Sequence, residues 1–325
     1  MYYSIRHQTK FRYDHPVAET VMELRMQPRT EWTQHCLSFD IQVSPRARLH
    51  SYRDHLGNTV HHFNAPGKTD QLHITATSLV EVQPFREWPE ELPEGAWDQI
   101  DVAVANGDFH EMLQASDYAK PSTLLTELAA KLHVTRRNDP MTLLRQITRG
   151  IHETFEYTPK STRVDSPIDD ALRTRKGVSQ DFAHIMITLV RQLKVPCRYV
   201  SGYVAKDQTL ATLSGSHAWV EALLPGWGWV GFDPANNAMA GERHVRCAVG
   251  RDYADVPPTK GIYKGDSRGE LSVQVQVIPT EAPTGGDAAD FAMPAADDWF
   301  TMPGEPDKPG PSMAGYRAAA EQQQQ

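Results

Sequence analysis

The chain has 325 residues, 40% of them apolar and 23% charged, with a formal net charge of -8. That length suits about two domains with real cores, and the acidic balance argues against a nucleic-acid binder, which needs a basic face. MYYSIRHQTKFRY lacks the apolar stretch of a leader and no run of about 18 apolar residues occurs, so neither a signal peptide nor a membrane span is expected. Three widely spaced cysteines, Cys36, Cys197 and Cys247, form no disulfide framework and no zinc pattern, which makes a reducing cytoplasm the default expectation.

In chain order, residues 1–83 read as β. SIRHQTKFRY, SFDIQV, ARLHSYRDHLGN, TVHHFNA and LHITATSLVEV are short, partly alternating runs separated by turn residues at Ser44-Pro45, Gly57-Asn58 and Pro66-Gly67. Strands at this spacing predict a small antiparallel sandwich. His61 and His62 are adjacent in such a run and should point to opposite faces, against a shared metal site. Residues 84–121, rich in Pro, Glu and Trp, read as a connector. The apolar set Leu143, Leu144, Ile147, Ile151 and Phe155 then marks one helix face, with Asp139-Pro140 at its start. A second helix starts just after the Gly177-Val178-Ser179 stretch, with Phe182, Ile185, Met186, Leu189, Val190 and Leu193 on one face. The strand-like runs CRYVSGYV, HAWVEALL, GWGWVGFDP and LSVQVQVIP follow. Residues 279–325, ending in QQQQ, have a composition that cannot bury a core and read as a disordered tail.

Three polar residues stand beside these elements in a suggestive order. Ser179 opens the second helix, where unpaired backbone N–H groups carry partial positive charge and can serve a developing oxyanion. His217 begins one strand and Asp233 ends the next. A hairpin turning at Pro225-Gly226 would bring the last two together. Nucleophile, base and orienting carboxylate make a triad. Each residue also has an ordinary reading: an N-cap, a structural histidine and a turn aspartate.

The segments GVSQDFAHIMI, PCRYVSGY, SHAWVEALLPGWGWVGFDPANN and VGRDYADVPP resemble the core of the bacterial transglutaminase-like proteins. YSIRHQTKFRYDHPV and DHLGNTVHHF resemble the β domain that precedes that core, so the likeness spans about residues 1–278. The resemblance implies an α+β protein: an N-terminal antiparallel β-sandwich over 1–83, a connector over 84–121 and a papain-like transglutaminase core over 122–278. It implies a Cys-His-Asp triad acting on a peptide or protein amide, with His217 as base, Asp233 orienting it, and Tyr157 and Gln180 lining the oxyanion or substrate site. No metal and no cofactor are implied.

At the nucleophile position the family pattern GVCQDFAH has cysteine and this chain has Ser179. A thiol ionises beside a histidine, whereas a hydroxyl must lose its proton to a well-placed base during attack. Thiol-type acyl transfer is therefore expected to be weak or absent. Three accounts of the serine stand open: a pseudoenzyme that binds without turnover, a Ser-His-Asp amide hydrolase, or replacement of a native cysteine.

Overall fold

The computed structural model describes residues 1–84, 87–107, 109–205, 212–214, 216–283, 300–301 and 316–319. The N-terminal part is built on β1 (Tyr2–Leu24), with β2 (Gln34–Ser44), β3 (Leu49–Arg53), β4 (Thr59–Ala65) and β5 (Thr69–Val82). The first half of β1 pairs with β5, which pairs in turn with β2; its second half pairs with β4, which pairs with β3. Register breaks between Arg12 and Val17, and this single strand thereby passes from one layer of the sandwich to the other. Tyr3, Ile5, Phe11, Leu72, Ile74 and Phe63 fill the space between, each almost wholly buried. His61 packs against Phe39 and His62 stacks on His50 across the strand pair.

The connector does more than link. It contains α1 (Ala96–Ala105), and Leu92, Ala96, Ile100 and Ala119 enter the second core. Asp139 ties it down, accepting from Leu92 N–H (2.9 Å) while it caps the later helix Pro140–Thr154.

The second part contains α2 (Thr123–Lys131), α3 (Pro140–Thr154), β6 (Glu156–Tyr157), α4 (Ile168–Thr174), β7 (Lys176–Gly177) and α5 (Ser179–Gln192). The strands β8 (Cys197–Val204), β9 (Thr212–Ser214), β10 (His217–Leu224), β11 (Gly228–Asp233), β12 (Ala238–Met239) and β13 (His244–Gly250) follow. Helix α3 starts as its sequence dictates: Asp139 accepts from Met141 N–H (2.9 Å) and Thr142 N–H (3.2 Å), with Pro140 just inside. Helix α5 lies against an antiparallel sheet of order β12-β11-β10-β8-β13 and is buried along nearly its whole length. Its last turn is riveted by Arg191, whose guanidinium donates to the carbonyls of Met112, Gln114, Cys197 and Arg251.

The boundary of the second part differs from the sequence reading. β14 (Thr259–Lys264) and β15 (Gly269–Thr280) return to the sandwich, where β14 pairs with the second half of β1 and β15 with the first. Alternation in LSVQVQVIP shows a half-buried strand but not which sheet receives it. The segment read as a disordered tail lies mostly outside the described residues. Two short strands within it, β16 (Phe300–Thr301) and β17 (Tyr316–Ala319), pair with β15 and β14. No helix among the described residues is long and apolar enough to cross a membrane.

Candidate active site

Helix α5 sets the position of Ser179. Val178 is its cap and has no side-chain acceptor, so the carboxylate of Asp181 reaches back to accept from Val178 N–H at 2.8 Å. The same oxygen accepts from the Thr162 hydroxyl at 2.5 Å. Burial pushes the Asp181 carboxyl up to about 6, against the pull of these two donors. Next to it, the Gln180 amide donates to the backbone carbonyl of Arg163 at 3.0 Å. The strap of residues 158–166 is thus bonded to the first turn of α5 at two consecutive residues. Ser179 itself is fully buried, and its Oγ has no hydrogen-bond partner among the described residues.

The base is positioned by the sheet. β10 and β11 form the hairpin the sequence predicts, with Gly226 and Gly228 at φ of 75° and 70° where side chains are disfavoured. At its open end His217 Nε2 donates to Asp233 Oδ2 at 2.8 Å.

Asp233 is fully buried and surrounded by donors. Oδ2 also accepts from Asn236 Nδ2 (2.7 Å) and His244 Nε2 (3.1 Å), while Oδ1 accepts from the N–H groups of Ala235 (3.1 Å) and Asn236 (3.2 Å). Burial alone would raise its pKa; His217 first, then His244, overcome that and hold the carboxyl well below the ordinary range. Asn236 and His244 did not emerge from sequence reasoning. Asp233-Pro234 signalled a turn that could bring the backbone of the next residues to the carboxylate, but nothing marked the Asn236 side chain, and His244 lies 11 residues on, in another strand.

Tyr157 joins the two halves. β6 pairs in parallel with β7, Tyr157 beside Gly177, so the ring stands next to the start of α5 and packs edge-on against Phe182. Burial, then the charges of Asp233 and Asp181, push its hydroxyl up to about 12. It is 39% exposed and keeps its proton at any physiological pH, which makes it a hydrogen-bond donor at the rim. Gln180 stands differently: its amide N–H is engaged by the strap and its Oε1 is buried without a partner among the described residues, so it braces the site more than it lines it. Trp219 is wholly buried, stacked on His217 and edge-on to His244.

The profile of the bacterial transglutaminase-like N-terminal region matches residues 3–81, and that of the transglutaminase-like superfamily matches residues 127–234. An uncharacterised protein of Mycobacterium leprae is 30% identical over 275 residues, covering 83% of this chain and 96% of that one. The chain belongs to the bacterial transglutaminase-like family. A protein-glutamine gamma-glutamyltransferase of Pseudomonas aeruginosa is 31% identical over 221 residues, 60% of this chain and 30% of the other. In fold, a candidate cysteine protease from Cytophaga hutchinsonii superposes with a TM-score of 0.67 at 23% identity, over 87% of this chain and 92% of that chain.

Proposed function

We propose that this member of the transglutaminase-like family recognises a peptide or protein amide at Ser179, His217 and Asp233, and that serine in place of cysteine leaves thiol-type acyl transfer abolished or weak. The observation that carries the reading is a His217–Asp233 pair already organised on the sheet that α5 packs against, with a Ser179 Oγ at the start of α5 that has no partner among the described residues. A serine nucleophile depends on a base that already holds its proton, and no such bond is made here. A thiol needs less, since its pKa of roughly 8.5 permits ionisation near an imidazole. No other cysteine substitutes: burial pushes Cys36 and Cys197 each up to about 11 and Cys247 higher still.

With cysteine at position 179, His217 would take the thiol proton and the sulfur would attack the amide carbonyl carbon. The C–N bond would break as that proton passes to the departing amine, leaving a thioester for water or a second amine to resolve. The N–H groups in the first turn of α5 would face the oxyanion.

The test compares the protein with Ser179→Cys, using electrophilic acyl-enzyme probes and mass spectrometry at residue 179. Labelling only in the cysteine variant is expected. Labelling of the unaltered serine would overturn the silenced-site reading and establish the Ser-His-Asp amide hydrolase.

A further inference from the structure

Asp233 holds two imidazoles, and the reaction outlined above uses one. The second is arranged with equal care. His244 Nδ1 accepts from Gly241 N–H at 3.3 Å, which fixes the tautomer with hydrogen on Nε2, and that hydrogen is donated to Asp233 Oδ2. Burial lowers its pKa against the raising effect of Asp233. Trp219 packs against both rings, its centroid 6.3 Å from His217 and 5.2 Å from His244, and the two imidazoles lie 6.5 Å from each other. Gly202 lets the indole in: a Cβ there would lie 2.7 Å from Trp219 Cη2. His244 also borders a cleft of about 390 Å³ shared with Asn236, Glu242, Arg243 and Tyr3.

From this geometry we infer that His244 is a positioning residue for His217, acting through Asp233; the inference rests on the proposed role of His217 as base. Oδ1 is fixed by backbone, but Oδ2 faces only side chains. The His244 N–H sets the rotation of the carboxylate and takes a share of the charge that would otherwise bind the imidazolium of His217 more tightly. Around the cluster, the titratable and charged groups are Tyr157 from β6, Arg246 from β13, and Glu242 and Arg243 from the turn before it.

The experiment follows alkylation of residue 179 by iodoacetamide against pH in the Ser179→Cys protein, then adds His244→Leu, His244→Met or His244→Gln. Leu and Met fill the space differently and carry no donor; Gln keeps an N–H. In the donorless variants the basic limb should move up by about half a unit to one unit and the plateau should fall several-fold, with Gln restoring both in part. A folded donorless variant whose profile superimposes on that of its parent overturns the inference. Should the parent itself show no enhanced reactivity, the base role of His217 is what fails. The second readout, the imidazole N–H proton resonance of His217 in the unaltered serine protein, still decides His244. A downfield shift with Leu or Met supports coupling through Asp233, and an unmoved resonance overturns it.

Discussion

Gln180 and Arg163 are joined by a 3.0 Å hydrogen bond from a side-chain amide to a backbone carbonyl, one residue after Ser179. Together with Thr162–Asp181 it fastens the strap over the first turn of α5. Gln180→Leu removes the donor and leaves a carbonyl unmatched, at a cost of about 1–2 kcal/mol. In the Ser179→Cys background the same change should speed labelling of the introduced thiol by a neutral disulfide reagent several-fold. Equal labelling rates would show that the strap does not control access.

Asp181 predicts an unusual pH response. Its folded-state pKa, about 6, exceeds the usual aspartate value of about 3.9, so its charged form is disfavoured in the folded protein. The destabilisation is complete above pH 6 and disappears as pH falls through 6 toward about 4. Asp181→Asn can accept from both Val178 N–H and the Thr162 hydroxyl through its amide oxygen. At neutral pH it should match or exceed the parent's stability, by up to on the order of 2 kcal/mol, and lose this pH dependence. Urea titrations from about pH 4 to 8 on both proteins measure it; identical slopes would refute the assignment.

Glu221 has the opposite sign. It is fully buried between Arg198 (2.7 Å) and Arg246, and although burial opposes the charge, the two guanidiniums, Arg246 first, hold it down to about 2. Its stabilisation is present above the ordinary glutamate range near about 4.3 and fades as pH falls toward 2. Glu221→Gln strands two guanidiniums in a closed site and should cost about 3–5 kcal/mol. Denaturant midpoints at neutral pH test this; a loss under about 1 kcal/mol would mean that water screens the cluster.

Gly202→Ala should be worse tolerated than most core changes. An added Cβ would meet the Val245 carbonyl at 2.1 Å and Trp219 at 2.7 Å, and the former is backbone that cannot swing aside. The indole backs the base, so a variant that folds should show His217 displaced. Comparison of imidazole NMR spectra before and after the substitution reveals it.

Much of this was legible from residues alone. Asp139-Pro140 marked the start of α3 because capping is local, and Pro225-Gly226 marked the hairpin that carries His217 toward Asp233 because turns are local too. What could not be read is non-local. Nothing near Gly269–Thr280 says that this strand leaves the core to lie along Tyr2–Tyr13, and nothing near His244 announces its bond to Asp233. The state of Ser179 Oγ is of the same kind: a residue type is read from the sequence, a missing partner only from three dimensions.

The return of β14 and β15 to β1 also bears on synthesis. A ribosome delivers β1 first, yet its partners over Thr259–Lys264 and Gly269–Thr280 emerge only after the whole of the second part. Until then one long strand has open edges on both of its halves, the kind of surface that recruits stray strands. Such distant pairing is slow to form. A chain halted near residue 258 would hold every residue of the proposed triad and still lack its closing seam, so it should emerge as an aggregating species and not as a smaller working protein.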